Sequence, residues 1–106
     1  ELRIWPKPGE GPTREQREAG YYEVVFRGID SQDPQKEITI SVSGDLDPGY
    51  GSTAKMLGEA AVCLAKDELT VGGGFWTPAS ALAGKYLNRL TSSAGLTFKV
   101  VDSVTP

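Results

Sequence analysis

Apolar and polar residues alternate in three stretches of the chain and recur at helical spacing in two others. Tyr22, Val24 and Phe26 fall on one side of an extended segment, and Tyr21, Glu23, Val25 and Arg27 fall on the other. Ile38, Ile40 and Val42 repeat the pattern against Thr39, Ser41 and Ser43, as do Leu96, Phe98 and Val100 against Thr97 and Lys99. Each stretch predicts a half-buried strand, with the first two paired antiparallel. Tyr21 and Val25 are apolar for a solvated face, which points to partial cover by a partner.

Between the second and third strands the period changes. Ala54, Met56, Leu57, Ala60, Ala61, Leu64 and Ala65 form a small-residue helical stripe, with Lys55, Glu59 and Lys66 off it. Asp47-Pro48-Gly49 turns the chain into this helix, with Pro48 presetting φ and Gly49 free to take a positive value. Ser52 or Thr53 is the expected N-cap. After Gly72-Gly73-Gly74 and Phe75-Trp76, Thr77-Pro78 starts a second helix, Thr77 as cap and Pro78 where a missing N–H costs nothing. Ala79, Leu82, Ala83, Tyr86, Leu87 and Leu90 give its stripe, Lys85 and Arg89 suit its dipole, and Gly95 ends the segment.

The N-terminal stretch is weaker. Leu2 to Trp5 reads as a strand end stopped by Pro6 and Pro8. Thr13 and Gln16 match a capping box, so a short polar helix is expected over 13–19, with Gly20 as its stop. Val104 to Pro106 reads as frayed. Residues 1–20 thus form a lead-in with a short helix, and 21–106 form a single α+β domain. Its expected architecture is a small antiparallel or mixed sheet with two helices packed on one face, a two-layer sandwich.

Composition narrows the chemistry. The 106 residues carry a net charge of −3 with Lys and Arg scattered, which argues against a nucleic-acid partner. No stretch approaches the roughly 20 apolar residues of a membrane span. Histidine is absent, which removes His-assisted nucleophiles and His-ligated metal sites, so no metal site is expected. Cys63 is the single cysteine and sits mid-helix, so it reads as a small buried apolar residue. An unpaired thiol fits a reducing, cytoplasmic setting. Opening on Glu1 rather than Met, the chain reads as a piece of something longer.

Three stretches match known motifs. Gly49-Tyr50-Gly51-Ser52-Thr53-Ala54 satisfies G-x-G-x-x-A at a helix start, but Asp45-Leu46-Asp47-Pro48 interrupts the strand that should feed it. Two carboxylates there would also repel a pyrophosphate. No cofactor-binding residue is assigned on this ground, although a helix N-terminus can accept a smaller anion. Ser52-Thr53-Ala54-Lys55 matches S-x-x-K without its companion motifs, so Ser52 reads as a cap. Asp45 and Asp47 suit a cation or acid–base work, and suit capping of turn amides better. Trp76 beside three glycines either lines a pocket or locks the second helix, and both readings stay open.

Several of these stretches resemble a known family. Pro6-Lys7-Pro8-Gly9-x-Gly11-Pro12, Gly44-Asp45-x-Asp47-Pro48-Gly49-Tyr50-Gly51-Ser52-Thr53-Ala54-Lys55-Met56 and Glu59-Ala60-Ala61-x-Cys63-Leu64 come in order. Gly73-Gly74-Phe75-Trp76-Thr77-Pro78-Ala79 and Gly95-Leu96-Thr97-Phe98 follow. The set resembles the C-terminal portion of the saccharopine dehydrogenase-like oxidoreductases, which include trans-acting enoyl reductases. That resemblance implies a parent enzyme whose Rossmann domain binds NAD(P), with this chain as the substrate-cleft and oligomerisation domain of a homodimer, binding no cofactor itself and inactive alone. The cleft candidates are then Asp47, Tyr50, Ser52, Phe75, Trp76 and Thr77, with no catalytic residue assigned. A non-catalytic dimerisation or interaction module, using the Tyr21 and Val25 face, is the competing expectation.

Overall fold

A computed structural model describes residues 7–104, so the expected strand end at Leu2–Trp5 and the last two residues lie outside the described part. Three strands, β1 (Tyr22–Ile29), β2 (Glu37–Gly44) and β3 (Leu96–Val104), form one antiparallel sheet in the order β1-β2-β3. Helix α1 (Arg14–Glu18) precedes the sheet. Helices α2 (Gly51–Lys66) and α3 (Pro78–Ser92) lie between β2 and β3 in sequence. The chain is a small α+β fold, and β3 continues well past Val100.

Register shows which residues share a face. Tyr22, Gly44 and Leu96 form one cross-strand row, Val24, Val42 and Phe98 the next, and Phe26, Ile40 and Val100 the third. Their eight side chains, Gly44 having none, point to the helix side, because side chains alternate across a strand. A bulge between Thr39 and Ile40 shifts the pairing with β3 beyond the third row. On the opposite face Ser41 donates to Glu23, and Arg27 pairs with Glu37.

The two helices cover only one end of the helix-side face. Leu90, Ala94 and Leu96 form the buried cluster, with Val42, Met56 and Tyr86 packed against it. The remaining rows are open: Phe26 and Val100 are each 56% exposed. The radius of gyration is 17.7 Å, against about 13 Å for a compact domain of this size.

Local geometry modifies several expectations. Thr13 caps α1 through a reciprocal capping box with Gln16, as its spacing predicts. In α2 the side turned inward carries Ser52, Met56, Glu59 and Cys63, whereas Leu57 and Leu64 of the expected stripe are exposed. The polar members of this seam are tolerated because Tyr22 and Arg89 satisfy them. Helix α3 breaks at Ala83, whose φ of 44° and ψ of −135° lie far from helical values. Gly49 does not use positive φ; Gly95 does, at 74°, where the chain leaves α3 for β3. At Gly44 a side chain would collide with the Tyr22 ring.

Candidate functional site

Asp47 organises the turn into α2. Its Oδ2 accepts the Tyr50 N–H at 2.9 Å, its Oδ1 accepts the Gly51 N–H at 2.8 Å, and its backbone carbonyl accepts the Ser52 N–H at 2.9 Å. The N-cap position of α2 is Tyr50, which makes no side-chain cap bond, so the first amides are held by Asp47 reaching forward from the turn and not by Ser52 or Thr53. The Thr53 hydroxyl instead donates to the Pro48 carbonyl at 2.6 Å. The Asp47 N–H reaches the Arg17 carbonyl at 3.1 Å, which ties the lead-in to the turn. Asp45 takes the Lys55 ammonium at 3.1 Å, so the two carboxylates have separate structural partners.

Ser52 is fully buried, and its hydroxyl shares a 2.9 Å hydrogen bond with the Tyr22 phenol. Tyr50 stands 60% exposed beside Gly11. These bonds decide how well the Gly49–Ala54 turn fits a dinucleotide. Amides that would cradle a pyrophosphate are already bound by Asp47, and its carboxylate occupies the position an anion would take.

The second set of candidates sits where α3 begins. The Trp76 indole N–H donates to the Gly72 carbonyl at 3.1 Å, bending the glycine loop back on itself. Thr77 holds the N-cap position with extended backbone, but its hydroxyl pairs with the Ser80 hydroxyl at 2.8 Å rather than with a helix amide. Pro78 occupies the first turn as expected. An apolar groove of about 350 Å³ runs between the helices, walled by Leu57, Leu64, Trp76, Thr77, Pro78 and Leu82. Trp76 thus lines a groove, while Phe75 projects fully into solvent. Asp47, Tyr50 and Ser52 do not border this groove, so the two sets of candidates are separate places on the chain.

A third cluster was not anticipated. Arg89 on α3 donates to both carboxylate oxygens of Asp67 at 2.8 Å and to Glu59 at 3.3 Å. These bonds hold the Asp67 carboxyl far below the usual carboxylate range, with a further contribution from the Cys63 thiol. Burial, then the neighbouring Asp67, pushes the Cys63 thiol up, so it is protonated and a poor nucleophile. Tyr86 is also raised, chiefly by burial, and donates to the Met56 carbonyl at 2.9 Å. The four-residue spacing of Glu59, Cys63 and Asp67 puts them on one helical side, which is the sequence signal for this seam. The cluster binds α2 to α3 and has no free acid or base to offer a substrate.

Comparison with known proteins adds what this geometry does not specify. A Mycobacterium tuberculosis protein provisionally named a trans-acting enoyl reductase is 36% identical over 93 residues, covering 86% of this chain and 22% of the relative. The trans-acting enoyl reductase of Mycobacterium ulcerans is 36% identical over 90 residues, covering 83% of the chain and 21% of the relative. The chain is similar to part of the trans-acting enoyl reductases. A third such reductase, from Mycobacterium bovis, is 33% identical over 90 residues, with the same two shares. The chain therefore spans about a fifth of the length of these curated relatives. No family model matches it, and no solved structure does. No helix is long and apolar enough to cross a membrane, among the described residues.

Proposed function

We propose that this chain is the substrate-cleft and oligomerisation domain of a saccharopine dehydrogenase-like, NAD(P)-dependent oxidoreductase that reduces enoyl groups. One observation carries the reading: similarity to enoyl reductases runs through 86% of the chain yet takes up only 22% of the relative. The nicotinamide cofactor belongs to a Rossmann domain elsewhere in the parent, consistent with a Gly49–Ala54 turn whose amides are already bound. Trp76 and Thr77 on the groove, Phe75 beside them and Tyr50 at the separate turn are the side chains that face a substrate, whereas Asp47 and Ser52 hold the turn that carries Tyr50. The parent works as a homodimer in the cytoplasm.

The test is a chimera in which this chain replaces the matching stretch of a full-length reductase relative. Hydride transfer from NADPH or NADH to an enoyl thioester is followed in the chimera and in its Tyr50→Ala and Trp76→Ala variants. Lower kcat/KM with unchanged thermal stability supports the cleft assignment. Unchanged kinetics in both variants sinks it. A second reading, a non-catalytic dimerisation module, draws on the 82% exposure of Tyr21 on the opposite sheet face. Under that reading the chain alone dimerises and Tyr21→Glu returns it to monomer.

A further inference from the structure

The uncovered part of the sheet lies on the same side as the helices. Val24, Phe26, Ile38, Phe98 and Val100 are all at least 39% exposed. Register places them in adjoining rows with Val42 and Ile40, so they form one continuous surface rather than scattered apolar residues. No charged residue points to this side from the paired rows. The opposite face carries Glu23, Arg27, Glu37, Lys99 and Asp102 between its exposed Val25 and Ile29, with Glu23 accepting from Ser41 and Glu37 paired to Arg27, so its apolar residues are broken up by charge. A sheet of this kind has one face for solvent and one for a second layer. A contiguous exposed apolar surface is the usual mark of an interaction site.

We infer that the Val24–Phe26–Ile38–Phe98–Val100 face is the seat of an amphipathic helical segment from the part of the parent polypeptide outside this stretch. The inference rests on the proposed function only in taking the chain as part of a longer reductase. Three observations favour that occupant over a second copy. Helices α2 and α3 already form the layer at the Tyr22, Gly44 and Leu96 end, so one more helix continues the same layer along the sheet. Most of each relative's length lies outside the matched stretch, which supplies the chain needed. The radius of gyration of 17.7 Å exceeds the roughly 13 Å of a compact domain of this length, in keeping with a sheet face left uncovered. The docking segment is recognised by its chemistry: an uncharged apolar stripe at helical spacing, long enough to cross three strands.

Thiol accessibility tests this directly, because Cys63 is the only cysteine of the chain and is fully buried. Phe26→Cys puts a thiol on the inferred seat, and Lys99→Cys puts one on the polar face as a control. Maleimide labelling is read peptide by peptide in the 106-residue chain and in the chimera described above. Both new thiols are expected to label freely in the chain alone. In the chimera Phe26→Cys slows about tenfold or more while Lys99→Cys keeps its rate, as burial beneath a packed element requires. An unlabelled Cys63 marks the folded population, and Val100→Cys repeats the measurement on β3 should Phe26→Cys lose its fold. Equal labelling of the seat in the two proteins overturns the inference. Protection that appears in the chain alone and grows with its concentration also overturns it, in favour of a second copy. Enoyl reduction by the same chimera is scored separately: a protected seat in an inactive chimera leaves the docking intact and removes the enzymatic reading.

Discussion

Arg89 clasps Asp67 with two parallel hydrogen bonds, Nε and Nη2 each 2.8 Å from a carboxylate oxygen. Asp67 is the C-cap of α2, where a carboxylate meets the negative end of the helix dipole. The bidentate guanidinium offsets that repulsion and joins the two helices.

Acid should therefore loosen the helix pair. The folded Asp67 carboxyl is depressed, so its contribution is complete above its ordinary value near 3.8 and fades as pH falls below it. Asp67→Asn is expected to lower the urea midpoint at neutral pH and to flatten the acid limb of stability against pH. Parallel acid limbs for the two proteins, measured by circular dichroism, would remove this group from the account.

Ser52 and Tyr22 form a second test. Their hydrogen bond joins the start of α2 to β1 across a buried position. Tyr22→Phe leaves the Ser52 hydroxyl without its partner and should cost about 1–3 kcal/mol. Adding Ser52→Ala to that variant should cost much less than Ser52→Ala in the parent. Strict additivity in a double-mutant cycle of denaturation midpoints would contradict a direct bond.

Ala83 offers a stabilising change. Its φ of 44° with ψ of −135° belongs to a region that a side chain makes costly. Ala83→Gly should raise stability by roughly 1 kcal/mol, opposite in sign to the usual effect of glycine within a helix. A fall in Tm on scanning calorimetry would mean that α3 runs through this position unbroken.

Gly44 predicts the reverse. A Cβ there would collide with the Tyr22 ring. Gly44→Ala should therefore destabilise by about 1–3 kcal/mol, the usual cost of overpacking. Measured against Tyr22→Leu alone, Gly44→Ala should cost less than it does in the natural sequence, and an equal cost in both backgrounds would place the strain elsewhere.

These sites explain how far the sequence could be read. Alternation at Tyr22, Val24 and Phe26 and at Ile38, Ile40 and Val42 correctly assigned strands and the residues that share a face. It carried no information on how much of that face the helices would reach, since period reports direction and not cover. The stripe of α2 misled for a related reason. Leu57 and Leu64 are as apolar as Met56, and the choice between them was made by Ser52 and Glu59, whose partners Tyr22 and Arg89 lie about 30 residues away in sequence. The capping box at Thr13 was legible because both of its bonds are local. The hold of Asp47 on the first α2 amides was half legible: its turn suited amide capping, but the reach to Tyr50 and Gly51 depends on the path of the whole turn. Trp76 was identified as either a groove wall or a helix lock, and its place on the groove follows from a bond to Gly72 that composition does not encode.

The position of β3 beside β2 sets an order of events during synthesis. The β1–β2 hairpin is local and can form as soon as Gly44 leaves the ribosome, but β2 meets β3 only after both helices have been made. Until then one edge of β2 and the whole apolar side of the hairpin face the surroundings. Closing that long loop is slow relative to hairpin formation, and an unpaired strand edge recruits other strands. The helix pair is therefore a timing element as well as a layer: the length of chain it places between β2 and β3 determines how long the nascent chain carries an adhesive edge.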